Sequence, residues 1–205
     1  SKKFKIVNYT LYMMRQERFF GIHPELLDLF STTSADTEQT KENIKNLFPL
    51  HPCTANLATY YAREAGSSSR SVFEFIASDS VRNFLDDDEA YHQDRTITAD
   101  YLWDYVQEYF ESDAAKFGAV TERYNSHHLS VESQGGNYLR VFKGILLLNA
   151  LNNIANSDTV TPSTENIENL FLGTEVEGQL EDILDFFNDK SIIQRQPNGN
   201  FSILF

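Results

Sequence analysis

The chain has 205 residues, of which 41% are hydrophobic and 13% aromatic, so a sizeable core is available and disorder is disfavoured. Its formal net charge of −13 disfavours nonspecific binding to nucleic acid or to an anionic membrane, because both depend on cations that neutralise phosphates. Cys53 is the single cysteine, which excludes an internal disulfide and fits a cytoplasmic location. We expect no membrane span, since no long apolar run is present.

The N-terminal part of the sequence predicts short helices joined by a polar break. Residues 4–20 form either a helix or a strand followed by a helix, because their apolar spacing does not separate the two. Residues 22–30 predict a short helix with Pro24 in its first turn. Residues 31–34 are a polar break, and residues 36–47 predict a mostly solvated helix.

Residues 46–76 predict a compact pair of helices around two prolines and a polar turn. Pro49 and Pro52 favour extended backbone before them, and Pro52 suits a first helical position, where its missing N–H costs nothing. Gly66 and the three serines after it end this helix. A second helix starts near Arg70, which stands at the mouth of the turn. This second helix is expected to bury three apolar residues, Val72, Phe73 and Ile76.

Two helices are predicted after an acidic loop at residues 86–89, which we interpret as solvated because the spaced ligands of a calcium loop are lacking. Thr98 is expected to cap the first of these helices, with Asp100 in its first turn. The second contains His127 and His128, which point in different directions on a helix and so do not favour a shared metal.

The loop at residues 133–136 is the best candidate for a domain boundary, giving one domain at 1–134 and a second at 135–205. The second domain begins with a strongly apolar helix over 138–155 and continues with two shorter helices, the first of which follows a capping signal at 161–164, Thr-Pro-Ser-Thr. The Asn-Gly pair at 198–199 between apolar runs then predicts a β-hairpin with strands at 191–195 and 200–205. Because three helices followed by a hairpin is the order of a winged helix, we predict a mainly α protein with a winged-helix-like second domain.

The sequence contains no phosphate-binding loop, no dinucleotide fingerprint and no serine-hydrolase elbow. His51 and Cys53 lie two residues apart, which leaves a stand-alone hydrolase as one alternative function, although Cys53 is better interpreted as a small buried residue. A winged-helix DNA-binding or transcription-regulator-like protein is another alternative. The third helix of that domain is acidic and would repel phosphates, so a role facing other proteins, or another part of the same protein, is favoured.

Two motifs resemble the lid and winged-helix region of very large bacterial P-loop ATPases, AAA+/STAND-like proteins such as those of phage-exclusion defence systems. They are Pro49-Leu-His-Pro-Cys-Thr54 and Arg70-Ser-Val-Phe-Glu-Phe75. Three later stretches, 97–105, 138–155 and 180–205, are similar to the elements that follow in that family. The family's Asn-Glu before the arginine is replaced here by two serines.

The resemblance implies a helical lid-like domain followed by a winged helix, acting together as a regulatory and coupling module that does not hydrolyse ATP alone. In AAA+ proteins an arginine of the lid can reach the γ-phosphate, so Arg70 is the implied nucleotide sensor. His51 and Pro52 are implied to line the adenine side. The alternative for Arg70 is a structural role, paired with Glu64, Glu74 or a carbonyl.

The resemblance also sets the expected cofactors and partners. No cofactor is expected in this chain itself, and ATP with Mg²⁺ would belong to the parent ATPase. The chain begins and ends abruptly, on Ser1 and on an apolar stretch, so we expect it to be a piece of that larger protein. Its implied partners are the upstream ATPase core and other proteins. We predict no catalytic, DNA-binding or metal-ligating residue in it.

Overall fold

The structure is a computed structural model that describes residues 2–30, 37–64, 72–87 and 95–203. This part of the chain is mainly helical, as predicted, and the β-structure within it is one isolated bridge. Predictions that concern residues 31–36, 65–71, 88–94 and 204–205, including the position of Arg70, lie outside the described residues. The helices, in chain order, are α1 (Lys2–Ile22), α2 (Glu25–Asp28), α3 (Thr37–Asn46), α4 (Pro52–Glu64), α5 (Val72–Ile76), α6 (Asp79–Asp86), α7 (Ala99–Ser112), α8 (Ala114–Glu132), α9 (Gly136–Ile154), α10 (Thr164–Leu170) and α11 (Leu180–Asp189).

Helix α9 lies at the centre of the molecule and is buried almost all round, which is typical of a core helix. Helices α7 and α8 pack along it, and α4, α10 and α11 contact it as well. Gly144 allows the close approach of α10, because a Cβ atom there would lie 3.1 Å from Leu170 Cδ1 and 3.2 Å from Phe171 Cζ. The predicted apolar helix over 138–155 is therefore confirmed to within a residue at its C-terminal end.

The buried apolar residues form two groups, and within each group the side chains are in contact. The larger runs from Leu50 to Ile203 and includes side chains on both sides of residue 135. The smaller joins α1, α2 and α3 to the stretch before α4, and it consists of Phe19, Phe20, Leu26, Ile44 and Phe48. Helices α8 and α9 thus pack against each other across the loop at 133–136, and the division into two domains at that loop stays a prediction.

Three local signals in the sequence have different outcomes in the structure. Residues 4–20, which left helix and strand undecided, belong to the long helix α1. The hydroxyl of Ser163 accepts a hydrogen bond from the Asn166 amide at 3.1 Å and caps α10. Thr98 precedes α7 with extended backbone, but its hydroxyl bonds to the Asp100 carboxylate instead of to a backbone amide.

The burial predicted for the second helix of the 46–76 pair was wrong in part. Phe75 is the buried residue of α5, with its ring 5.5 Å from that of Tyr105, whereas Phe73 is 80% exposed and Ile76 is 44% exposed. Successive residues of a helix are separated by about 100°, so Phe73 and Phe75 point to nearly opposite sides. A helix of five residues buries only one of those sides.

The paired strands predicted at 191–195 and 200–205 are not formed in the described residues, which end at 203. The turn between them exists, since the Gln196 amide donates to the Asn200 carbonyl at 2.8 Å. Beyond that turn the backbone bonds to other groups: the Asn149 side chain donates to the Phe201 carbonyl at 2.9 Å and accepts from the Ile203 amide at 2.7 Å. The second arm is therefore paired with α9 and not with the first arm.

Asn149 provides a test of this anchoring. The Asn149→Leu variant removes its bonds to Phe201 and Ile203 and leaves buried backbone groups unpaired, so we expect it to lower the free energy of unfolding by about 2–4 kcal/mol. Asn153→Leu, one turn further along α9, loses an exposed bond to the Lys116 carbonyl and should cost less than about 1 kcal/mol. Urea unfolding monitored by fluorescence measures both, and equal losses would contradict the anchoring role.

Candidate functional site

The stretch 47–53 that leads into α4, here called the motif turn, contacts the N-terminal helices on one side. The Phe48 carbonyl accepts a hydrogen bond from the Tyr12 hydroxyl at 2.8 Å. The Phe48 ring packs 5.5 Å from Phe19 and 6.3 Å from Phe20. The same stretch contains a cis peptide bond between Phe48 and Pro49. The motif turn is thus one attachment point of the N-terminal helices to the rest of the molecule, and the turn after α10 is another, since Leu172 packs against the same apolar group.

On its other side the motif turn pairs with the segment that leads into α7. Leu50 and Ile97 form a parallel bridge, in which the Ile97 amide donates to the Pro49 carbonyl at 2.8 Å. The His51 amide donates to the Ile97 carbonyl at 3.1 Å. The bridge contains only one residue from each segment. Side chains must therefore supply the other contacts that hold the motif turn against the entry to α7.

His51 is fully buried, and both nitrogens of its ring have partners. The Cys53 amide donates to Nδ1 at 3.1 Å, so Nδ1 carries no proton. The proton is therefore on Nε2, which donates to the Leu172 carbonyl at 2.9 Å. This bond joins the motif turn to a residue 121 positions later, in the turn between α10 and α11.

The charges at this site are unsuited to nucleophilic catalysis. Burial lowers the pKa of His51 to about 4, against the opposing effect of the Leu172 carbonyl, so the ring is neutral at pH 7. Burial also raises the pKa of Cys53 to about 12, and its thiol donates to the Asn169 carbonyl at 3.2 Å. A nucleophilic cysteine needs a lowered pKa and a base aimed at its sulfur, and here His51 Nδ1 is engaged by the backbone.

Arg140, in the first part of α9, is the centre of a second polar cluster. Its Nη1 lies 2.7 Å from Glu175 Oε1, and its Nη2 donates to the Thr98 hydroxyl at 3.1 Å. Its Nε lies 3.6 Å from Asp100 Oδ2. The Arg140 and Asp100 side chains are only 12% and 10% exposed, so this pair is largely removed from water. Arg95 Nε approaches the same oxygen, Glu175 Oε1, at 3.8 Å.

These contacts close into a circuit, which we call the polar ring. In the polar ring, the backbone amide of His51 is bonded to the Ile97 carbonyl. The next residue in the chain, Thr98, is bonded through its hydroxyl to Arg140. The ring continues from Arg140 to Glu175 and along the chain to Leu172, whose carbonyl returns to His51. The ring therefore ties together the motif turn, the entry to α7, the first part of α9 and the turn between α10 and α11.

Sequence reasoning did not identify Arg140, although a signal for it exists. Arg140 and Lys143 are cations one helical turn apart in an otherwise apolar helix, and Asp100 and Asp104 are acids one turn apart at the start of α7. The two pairs meet: Lys143 Nζ lies 2.7 Å from Asp104 Oδ1, parallel to the contact of Arg140 with Asp100. Burial raises the pKa of Asp104, and Lys143 opposes that effect.

The site residues predicted from the sequence have different outcomes. Pro52 begins α4, as its missing N–H suggested, and it is buried beside His51. Arg70 lies outside the described residues, so the sensor role proposed for it stays a prediction. The part of the chain that the structure describes contains no group of three possible metal ligands, and the His128 ring stacks on that of Tyr124 with the two ring centroids 4.8 Å apart.

Comparisons with known proteins do not identify relatives, since the chain matches no protein-family model, no curated protein and no solved structure. Among the described helices, none has the length and apolar character needed to cross a membrane.

His51 predicts a loss of stability in mild acid. Its pKa is lowered from 6.5 to about 4 on folding, so between these values the unfolded chain binds a proton that the folded chain excludes. The stabilisation is complete above pH 6.5 and is lost as the pH falls towards 4. Between pH 7 and pH 4.5 this loss amounts to about 2 kcal/mol.

The His51→Gln variant lacks this titration. We therefore expect its free energy of unfolding to decline less between the same two pH values, by about 2 kcal/mol. Urea unfolding followed by the fluorescence of Trp103, the single and fully buried tryptophan, measures the difference. Parallel pH profiles for the two proteins would show that His51 is not buried as a neutral ring.

Proposed function

We propose that this chain is a regulatory and coupling module of a large ATP-binding protein, in which it relays the nucleotide state and does not hydrolyse ATP alone. The proposal follows from the resemblance of its motifs to the lid region of large bacterial P-loop ATPases. Under it, the ATPase core and other proteins are the partners, and ATP with Mg²⁺ binds to the core. A role in phage defence is the extension that the same resemblance implies.

The polar ring is the observation that best supports this proposal. A coupling module must convert a displacement at one end into a displacement at another. The motif turn, which carries the resemblance to the lid, is hydrogen-bonded through His51 to the turn between α10 and α11. Because unpaired buried polar groups are costly, the two turns are expected to move together and not separately.

The assignment of residues 135–205 as a winged helix is part of this proposal. It is supported by the order of three helices, α9 to α11, followed by the turn at 196–199. The two alternative functions receive less support. Helix α11 exposes Glu181, Asp182, Asp185 and Asp189, which would repel a DNA backbone. A hydrolase would need an activated thiol, whereas the pKa of Cys53 is raised.

The sensor role of Arg70 can be tested in the full-length protein to which the chain would belong. An arginine that contacts the γ-phosphate in the transition state contributes several orders of magnitude to turnover, so Arg70→Ala should lower kcat for ATP by at least about a hundredfold. Arg63→Ala is the matched control, since Arg63 is exposed near the end of α4 and lies over the Tyr60 ring, with Cζ 5.3 Å from the ring centroid. It should leave kcat within about twofold.

Steady-state ATP hydrolysis by the two variants and the unaltered protein measures this difference. If Arg70→Ala hydrolyses ATP at the unaltered rate, the sensor role is excluded. If the full-length protein binds no ATP at all, the proposed function as a whole is excluded.

A further inference from the structure

A groove of about 680 Å³ runs between α10 and α11, next to the part of the polar ring that contains Leu172. Its floor is apolar and consists of Leu172, Leu180, Leu184 and Phe201. Leu180 and Leu184 are one helical turn apart on α11 and line the groove with their edges, since both also pack into the core and are only 5% and 7% exposed. Leu172 is half-buried and lies on the opposite side, after the end of α10.

The rims of this groove are acidic. Glu177, Glu181 and Asp185 follow each other at intervals of four residues, so they stand in a row beside Leu180 and Leu184. Glu168 on α10 stands on the other rim. These carboxylates are exposed, and Glu168, Glu181 and Asp185 form no ion pair with any residue that the structure describes.

Cations are scarce in this part of the chain. Arg195 is the one cationic residue among the described residues that line the groove. Residues 164–203 contain eight carboxylates and two basic residues, so the field of the whole region is negative. An approaching cation is therefore attracted to the groove, whereas nucleic acid and anionic lipid are repelled.

We propose that the α10–α11 groove binds a basic amphipathic helix of a partner protein. The apolar floor would take leucine-like side chains spaced three and four residues apart, and the acidic rims would pair with lysine or arginine on either side of them. Helix α11 has ten residues and is about 15 Å long, which matches about three turns of a bound helix. A second copy of this chain is a poor occupant, because its net charge of −13 would be repelled. The proposal does not depend on the ATPase assignment.

A synthetic peptide probe tests the proposal directly. The probe is a fluorescently labelled peptide of about 14 residues, with leucines on one helical face and lysines elsewhere, and with both ends capped to remove terminal charge. One comparison peptide has the same composition in scrambled order, so it keeps the charge but loses the apolar face. A second replaces the lysines by glutamates. Anisotropy titrations give Kd for each, at low and at physiological ionic strength.

Two double variants of the protein locate the binding. Glu181→Lys with Asp185→Lys reverses the charge of one rim. Asp182→Lys with Asp189→Lys makes the same change in net charge on the same helix, at exposed positions that do not line the groove. Glu168→Lys changes the opposite rim and serves as a second test if the first double variant unfolds. Thermal unfolding of each variant establishes that it is folded.

We expect the amphipathic peptide to bind at least about tenfold more tightly than either comparison peptide, with affinity falling as salt rises. The rim variant should raise its Kd at least about tenfold, and the control double variant less than about threefold, because charges close to the peptide dominate. Equal binding of the scrambled peptide would overturn the proposal, as would equal effects of the two double variants. Concentration-dependent self-association that the rim variant abolishes would also overturn it, since the occupant would then be a second copy.

Discussion

A neutral, fully buried imidazole is the constraint on which the rest of this structure depends. The His51 ring accepts from the Cys53 amide and donates to the Leu172 carbonyl, so it fixes the entry to α4 and the turn after α10 at the same time. Neither bond can be replaced by water, because the ring has no exposed surface. Leaving either backbone group unpaired in the interior would cost about 1–3 kcal/mol, which is a large share of the stability of an ordinary domain.

The charged half of the polar ring reinforces the neutral half. Arg140 reaches Thr98, Asp100 and Glu175, and therefore holds the entry to α7 against the turn that also receives the His51 bond. A displacement of the motif turn would have to break the His51 bond or carry the 171–176 turn with it. That turn leads directly into α11, whose acidic and apolar residues form one wall of the groove. The polar ring thus offers a mechanical route from the motif turn to the groove.

The features of this fold that were predicted correctly are those that depend only on residues close to them in the sequence. The apolar run of α9, the serine that caps α10 and the proline that begins α4 each act within a few residues of themselves. The paired strands after α11 were mispredicted because the competing partner, Asn149, lies more than 50 positions away. A buried asparagine that offers a donor and an acceptor can replace a strand partner, and no turn signal reveals this.

The candidate site shows the same limit. The Pro-Leu-His-Pro motif was recognised in the sequence, and its implied place on the adenine side of a nucleotide stays a prediction, but the bonds that His51 makes inside the protein were not foreseen. Its partner is a backbone carbonyl, and any residue in place of Leu172 would supply one, so the contact has no signature in the sequence. Asp100 and Asp104 are one helical turn apart, and so are Arg140 and Lys143. This matching of two acids with two cations was visible in the sequence and could have predicted their ion pairs.

The most direct test of the polar ring is a double-mutant cycle between its neutral and charged halves. The variants are His51→Gln, Arg140→Met and the two combined, and the free energy of unfolding is measured in urea at pH 7 by Trp103 fluorescence. If the ring is one connected structure, the losses will be non-additive by about 1 kcal/mol or more. As a control, Arg140→Met combined with Arg82→Met should be additive, because Arg82 pairs with Asp79 on the surface of α6. Additivity of the His51 and Arg140 variants to within about 0.3 kcal/mol would contradict the account.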